Sequence, residues 1–246
     1  MAATAEHPEF VVLYGISWQQ YEAILAALGE HHLRHSYDRG TLEMRSIVYG
    51  VSWQEYEKLL AALPEHSFRH SYDRGTLEMM TPLKSHDWTK TLLGRMVEML
   101  SLELSVPIQS VGSTTLRGEA AERGLQPDEA YYIAHEPEVR GKDEYDPDRD
   151  PPPDLVVEVD VTSSCVNRMP IYAALRVPEL WRHDGEKVIF YLLDPSGNYV
   201  KADRSLAFPM LQPEDINRFL DLRHTMDENS LIRSFVEWIR KQMKPE

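Results

Sequence analysis

Apolar residues at Trp18, Tyr21, Leu25 and Leu28 recur at intervals of three and four, the spacing of one helix face, and the same spacing returns at Trp53, Tyr56, Leu60 and Leu63. Each stretch opens with a capping box, Ser17 with Gln20 and Ser52 with Glu55, so a helix of about three turns is predicted in both places. Each is followed by His-Ser-Tyr-Asp-Arg-Gly-Thr-Leu-Glu-Met, which reads as a hairpin whose Asp-Arg-Gly turn uses the glycine for positive φ. Residues 14–44 align without gaps on residues 49–79 and are identical at 24 of 31 positions, the mark of a duplicated segment. Two copies fall short of the roughly three units a solenoid needs. Copy two runs straight into the downstream elements, so residues 49–246 are expected to form the main domain. Residues 1–48 are then an extra helix-hairpin copy that packs on copy two or mediates dimer contacts.

Ser85 caps a predicted helix in which Trp88, Leu92, Met96 and Leu100 fall four apart, with Leu93 and Val97 widening the stripe. Strands are expected near 107–116, 128–133, 155–161, 180–182, 187–193 and 199–202, and helices at 167–176, 213–220 and 230–241. The fold class is α/β (α+β): a mixed β-sheet flanked by helices on both faces.

A chain of 246 residues, 42% hydrophobic, is long enough to bury a real core. No stretch reaches the roughly 18 apolar residues of a membrane span. The start, MAATAEHPEF, lacks the basic opening and apolar centre of a secretory signal, so a soluble, cytoplasmic protein is expected. The single cysteine, Cys165, excludes an intramolecular disulfide and a multi-cysteine zinc site, and its place beside Ser163 and Ser164 reads as turn or cap chemistry. A net charge of −14 argues against nonspecific coating of nucleic acid while leaving room for a local basic cleft. The acidic, proline-rich stretch 136–154 reads as a solvated loop.

Two short apolar runs carry the candidate chemistry: Gln126-Pro127-Asp128-Glu129-Ala130-Tyr131-Tyr132-Ile133, and Pro153-Asp154-Leu155-Val156-Val157-Glu158-Val159-Asp160. A carboxylate inside such a strand is costly to bury unless something cationic is bound there. Hard oxygen ligands suit Mg2+ or Mn2+, which share coordination with a substrate phosphate, so Asp128 and Glu158 are candidate metal ligands. Asp160 has the same facing as Glu158 and adds a third carboxylate. Phosphodiester hydrolysis also calls for a positive group at the attacked phosphate, and Arg168, at the predicted start of a helix with Pro170 in its first turn, is the candidate. Asp154 lies four residues before Glu158 on one strand, about 13 Å away, too far to share an ion. His31, His32, His35, His66 and His70 all belong to the repeat and read as solvated loop or strand residues.

The segments YDRGTLEMMTPLKSHD, GSTTLRGEAAERGLQPDEAYYI and PPDLVVEVDVTSSCVNRMPIYAALRVPELW, in that order, resemble the Uma-two family of "putative restriction endonucleases", over roughly residues 49 to the C-terminus. The resemblance implies a restriction-endonuclease-like PD-(D/E)xK fold and metal-dependent cleavage of DNA. It casts Asp128 as the Asp of the PD motif, Glu158 as the acid of the second motif, and Arg168 in the place of the migrated lysine. Asp160 stands where the simplest motif has lysine. Asp87, after His86 at the start of the long helix, matches an acidic position of relatives, so both are accessory candidates. Arginine holds phosphate bidentately but cannot serve as a general base. The readings that follow are a Mg2+- or Mn2+-dependent DNA endonuclease acting as a homodimer, a catalytically degenerate nuclease fold that binds nucleic acid or protein, and an interaction protein organised around the duplicated N-terminus.

Overall fold

A computed structural model describes residues 10–28, 31, 35–39, 41–63, 69–80, 84–112, 114–142, 146, 149–160 and 167–243. Contacts divide the chain into two units: Met1–Leu83 with Thr115–Gln126 and Thr162–Leu175, and Lys84–Thr114 with Pro127–Val161 and Arg176–Glu246.

In the first unit the duplication appears as two matching βαββ modules. The first comprises β1 (Phe10–Tyr14), α1 (Trp18–Leu28), β2 (His35–Asp38) and β3 (Thr41–Arg45); the second comprises β4 (Ile47–Tyr49), α2 (Trp53–Ala62), β5 (Arg69–Asp73) and β6 (Thr76–Met80). Their registers correspond: Tyr14 faces Thr41 as Tyr49 faces Thr76, and Asp38 faces Thr41 as Asp73 faces Thr76. The capping box closes in both, with Gln20 on the Ser17 amide at 2.9 Å and Glu55 on the Ser52 amide at 2.7 Å. The copy-two hairpin turns on Arg74 (φ 41) and Gly75 (φ 95), two consecutive positive-φ residues as a two-residue primed turn requires. Arg39 (φ 42) repeats the strain in copy one.

Behind each turn sits the same aromatic trio. Tyr21 stacks on Tyr37 at 4.6 Å, as Tyr56 does on Tyr72 at 4.6 Å, with Trp18 or Trp53 alongside. The Tyr37 hydroxyl donates to the Ile16 carbonyl at 2.8 Å and the Tyr72 hydroxyl to that of Val51 at 2.9 Å. Of the two roles open to copy one, packing on copy two is realised: Ile24, Ala27 and Leu28 share one buried cluster with Tyr56, Leu59 and Leu63.

The modules differ at one edge. β5 also pairs with β9 (Arg123–Leu125), and β9 with β8 (Leu116–Gly118), which widens the copy-two sheet to the order β4-β6-β5-β9-β8. Among the described residues the copy-one sheet ends at β2, in the order β1-β3-β2. The short helix α5 (Met169–Ala174) contacts β9. The six residues of α5 fall short of the predicted 167–176.

The second unit is built on a six-stranded sheet in the order β14-β13-β12-β11-β10-β7. Its strands are β7 (Gln109–Ser110), β10 (Glu129–Tyr132), β11 (Leu155–Val159), β12 (Glu179–His183), β13 (Val188–Leu193) and β14 (Tyr199–Ala202). All neighbours are antiparallel except β11 and β12, whose parallel pairing needs a crossover; in chain order that connection contains α5. Helices α3 (Lys84–Leu104), α6 (Pro213–Asp221) and α7 (Glu228–Gln242) complete the unit with the short α4 (Glu136–Val139). One sheet face, with Leu155, Val157, Val159, Trp181 and Phe190, joins Leu92, Met96 and Leu100 of α3, Ile216 of α6 and Phe235 of α7 in the main core. The other face of β11 presents Val156 and Glu158.

A mixed α/β architecture is therefore observed, but in three sheets where one was expected. The strand expected at 107–116 is two strands, β7 and β8, in different sheets: Gly112 at φ 54 and the Thr114 amide bonded to the Val111 carbonyl at 3.1 Å break it. Strands β1, β4 and β9, each three to five residues, were not anticipated.

Candidate metal and phosphate site

Glu158 is the one acid in β11, a strand buried at every position. The antiparallel register sets Glu129 against Val157 and Ala130 against Val156, and extending it by one residue sets Asp128 against Glu158. Pro127 cannot donate to the ladder, so the strand begins after it and Asp128 is left at the strand's mouth. Its Oδ2 accepts the Val159 amide at 2.7 Å, which ties the carboxylate across to β11. Asp128 and Glu158 are 1% and 2% exposed. Two carboxylates this deep cost several kcal/mol of desolvation unless positive charge compensates them.

Arg182 continues the row. β12 runs parallel to β11 with Arg182 at the register position of Glu158, so an acid, an acid and a guanidinium lie side by side on three adjacent strands, on the sheet face away from the main core. Asp160, expected as a third carboxylate, follows the end of β11 and accepts from Arg182 Nε at 2.6 Å. Among the described residues no group of three or more His, Cys, Asp or Glu side chains is disposed to hold a metal ion. The donor set at the mouth of β10 and β11 is thus a pair of hard carboxylates. That pair fits a cation such as Mg2+, which binds through one or two carboxylates and keeps water and phosphate for its other positions.

Asp154, which imitates the PD motif in sequence, does structural work. Its carboxylate accepts the Ile133 amide at 2.7 Å and the His135 amide at 3.0 Å and meets the His135 ring at 2.6 Å, closing the turn after β10. Glu129, next to Asp128, points to the opposite sheet face. Burial raises its pKa, opposed by the Lys90 ammonium 3.5 Å away.

Arg168 stands in the first unit, at the N-cap position of α5, and is 7% exposed. Within that unit it adds to the burial that depresses the pKa of His70 to about 3, so this imidazole is neutral at physiological pH. His70, expected to be solvated, is only 3% exposed, because β9 covers the strand that carries it. His86 and Asp87 fall in the first turn of α3, and their side chains lie outside the described residues, as do Cys165, His32 and His66.

The family model described as "Putative restriction endonuclease", Uma2, matches residues 53–222. The chain belongs to the Uma2 family. The match begins inside copy two, so copy one lies outside what the Uma2 model covers. Among solved structures the chain is similar to a "putative nuclease belonging to DUF820" from Anabaena variabilis, at 14% identity and a TM-score of 0.45, over 68% of this chain and 98% of that one. No curated protein matches it. Among the described residues no helix of this Uma2 protein is long and apolar enough to cross a membrane.

Arg182 is the residue that sequence reasoning missed. Its signal was present in Leu180-Trp181-Arg182-His183, a charged position inside a strand, but its facing and its row-mate Glu158 depend on a parallel pairing that periodicity does not supply.

Proposed function

We propose that this protein is a metal-dependent endonuclease that hydrolyses phosphodiester bonds in DNA, acting as a cytoplasmic homodimer. The observation that carries the reading is the buried Asp128–Glu158 pair at adjoining strand positions, in a chain of the Uma2 family. Asp128 and Glu158 would hold Mg2+ or Mn2+. Bound there, the cation would polarise the phosphoryl oxygens and lower the pKa of a coordinated water.

The chain's own residues have distinct parts in this scheme. The Val159 amide fixes one oxygen of Asp128 and leaves the carboxylate directed across the strand pair. Arg182 offsets acidic charge in the row and restrains Asp160, the carboxylate at the position of the motif lysine. Arg168 is assigned to the scissile phosphate. A guanidinium can clamp two phosphate oxygens and stabilise charge on them, yet it stays protonated, so it does not take the proton from water. His86 and Asp87 are assigned accessory roles at the head of α3.

A second reading is favoured by one specific feature: neither position that could carry the motif lysine has one, since Asp160 and Arg168 stand there. On that reading the scaffold binds nucleic acid or a protein without cutting. Nicking of supercoiled plasmid and of single-stranded DNA in Mg2+ or Mn2+ decides between them. Cleavage by the natural protein that disappears in Asp128→Asn and Glu158→Gln supports the endonuclease. Cleavage only in Arg168→Lys means the natural protein is degenerate.

A further inference from the structure

Copy two of the repeat uses its β5 edge and aromatic trio to seat a strand, and the manner of seating is fully specified. β9 lies antiparallel on β5 with Leu125 opposite Ser71, Gly124 opposite Tyr72 and Arg123 opposite Asp73. Arg123 Nε donates to Asp73 Oδ1 at 2.9 Å, the Gln126 amide donates to the His70 carbonyl at 3.1 Å, and the Arg74 amide donates to the Glu122 carbonyl at 3.1 Å. Gly124 passes over the Tyr56 ring so closely that a Cβ there would come within 2.6 Å of the hydroxyl. The seat therefore reads a strand of the form Arg-Gly-apolar: charge opposite the aspartate, no side chain over the tyrosine.

Copy one carries the same seat. Tyr21, His35, Ser36, Tyr37, Asp38 and Arg39 are the counterparts of Tyr56, His70, Ser71, Tyr72, Asp73 and Arg74, identical in every case. The backbone registers and ring geometry match as described above. The difference is what lies on top. His70 and Ser71 are buried and Asp73 half-buried in copy two, whereas their counterparts His35, Ser36 and Asp38 are exposed in copy one, where Trp18 is 58% exposed. The edge of β2 is open among the described residues. An open edge with an aromatic floor is a liability that proteins normally blunt with charge or proline, and here neither is present on the strand beyond Asp38.

We propose that the β2 edge of copy one is a docking site for an extended segment of a partner protein that carries Arg-Gly-apolar, which adds as an antiparallel strand. The partner's glycine lies opposite Tyr37 and over the Tyr21 ring, its arginine pairs with Asp38, and its apolar residue faces Ser36. This is strand addition, in which main-chain hydrogen bonds supply affinity and side-chain pairs supply specificity. Copy two is the internal template for the bound state, and copy one, outside the Uma2 match, is the surplus receptor.

The probe is a labelled synthetic peptide of this chain's own residues 116–126, LRGEAAERGLQ, titrated into the 246-residue chain and followed by fluorescence anisotropy. The expected result is saturable binding at one peptide per chain. Asp38→Arg, an exposed change that leaves the β2–β3 ladder intact, should weaken it at least tenfold. A peptide with aspartate for the arginine of Arg-Gly-Leu should recover binding to Asp38→Arg and bind the natural protein poorly. Replacing the glycine of Arg-Gly-Leu by valine should abolish binding to both. No saturable binding, or binding indifferent to Asp38→Arg and to the glycine replacement, overturns the proposal. It is also overturned if sedimentation shows a dimer that Asp38→Arg dissociates without peptide, because a second copy of this chain would then own the edge.

Discussion

Gly124→Ala places a methyl group where β9 crosses α2 and the aromatic trio, and the outcome depends on two opposing magnitudes. The new Cβ would lie 2.6 Å from the Tyr56 hydroxyl oxygen, 3.0 Å from Cε1 and 3.1 Å from Cζ. Tyr56 cannot retreat, since it is fully buried and stacked on Tyr72 at 4.6 Å. Overpacking of this kind costs about 1–3 kcal/mol, against a gain of about 0.4–1 kcal/mol from the smaller conformational freedom of alanine in the unfolded chain. The net loss expected is about 1–2 kcal/mol, read as a lower urea midpoint by far-ultraviolet circular dichroism with the slope unchanged. The Tyr56 hydroxyl is buried and has no hydrogen-bond partner among the described residues, so Tyr56→Phe alone should be close to neutral. Added to Gly124→Ala it removes the closest contact and should restore roughly half of the loss, a positive coupling between the two sites. Gly124→Ala as stable as the natural protein, or losses that simply add in the double variant, would refute the reasoning.

His70 should make the protein acid-sensitive: its folded pKa is depressed to about 3, so the stabilisation is complete above the usual value of about 6.5 and is lost as pH falls from there towards 3. The slope is at most about 1.4 kcal/mol per pH unit, and urea midpoints at pH 7.5, 6 and 5 should fall less steeply in His70→Gln. Asp154→Ala removes an acceptor from two backbone amides and should cost about 2–4 kcal/mol of stability, while leaving Mn2+ affinity in the folded variant unchanged. Arg182→Met releases Asp160 and removes the cation of the row, so affinity for Mn2+ should rise as DNA cleavage falls, seen by calorimetry and plasmid nicking side by side.

The acidic pair was legible in the sequence because both signals are local: a proline before Asp128, and an acid interrupting Leu155-Val156-Val157. The same held for the repeat, whose capping boxes and Asp-Arg-Gly turns are short-range. What escaped was non-local. β9 is three residues long and has no periodicity to read, yet it decides that His70 is buried while the identical His35 is exposed. Arg182 acquired its meaning from a parallel pairing of two strands some twenty residues apart, which no spacing along the chain records.

The central claim is that Asp128 and Glu158 hold a divalent cation, and titration of Mn2+ into the natural protein and Asp128→Asn, followed by electron paramagnetic resonance, tests it most directly. One bound Mn2+ per chain, competed by Mg2+ and lost in a variant whose circular dichroism is unchanged, is the expected result. No bound Mn2+ in the natural protein even with DNA present, or equal binding in Asp128→Asn, would contradict it.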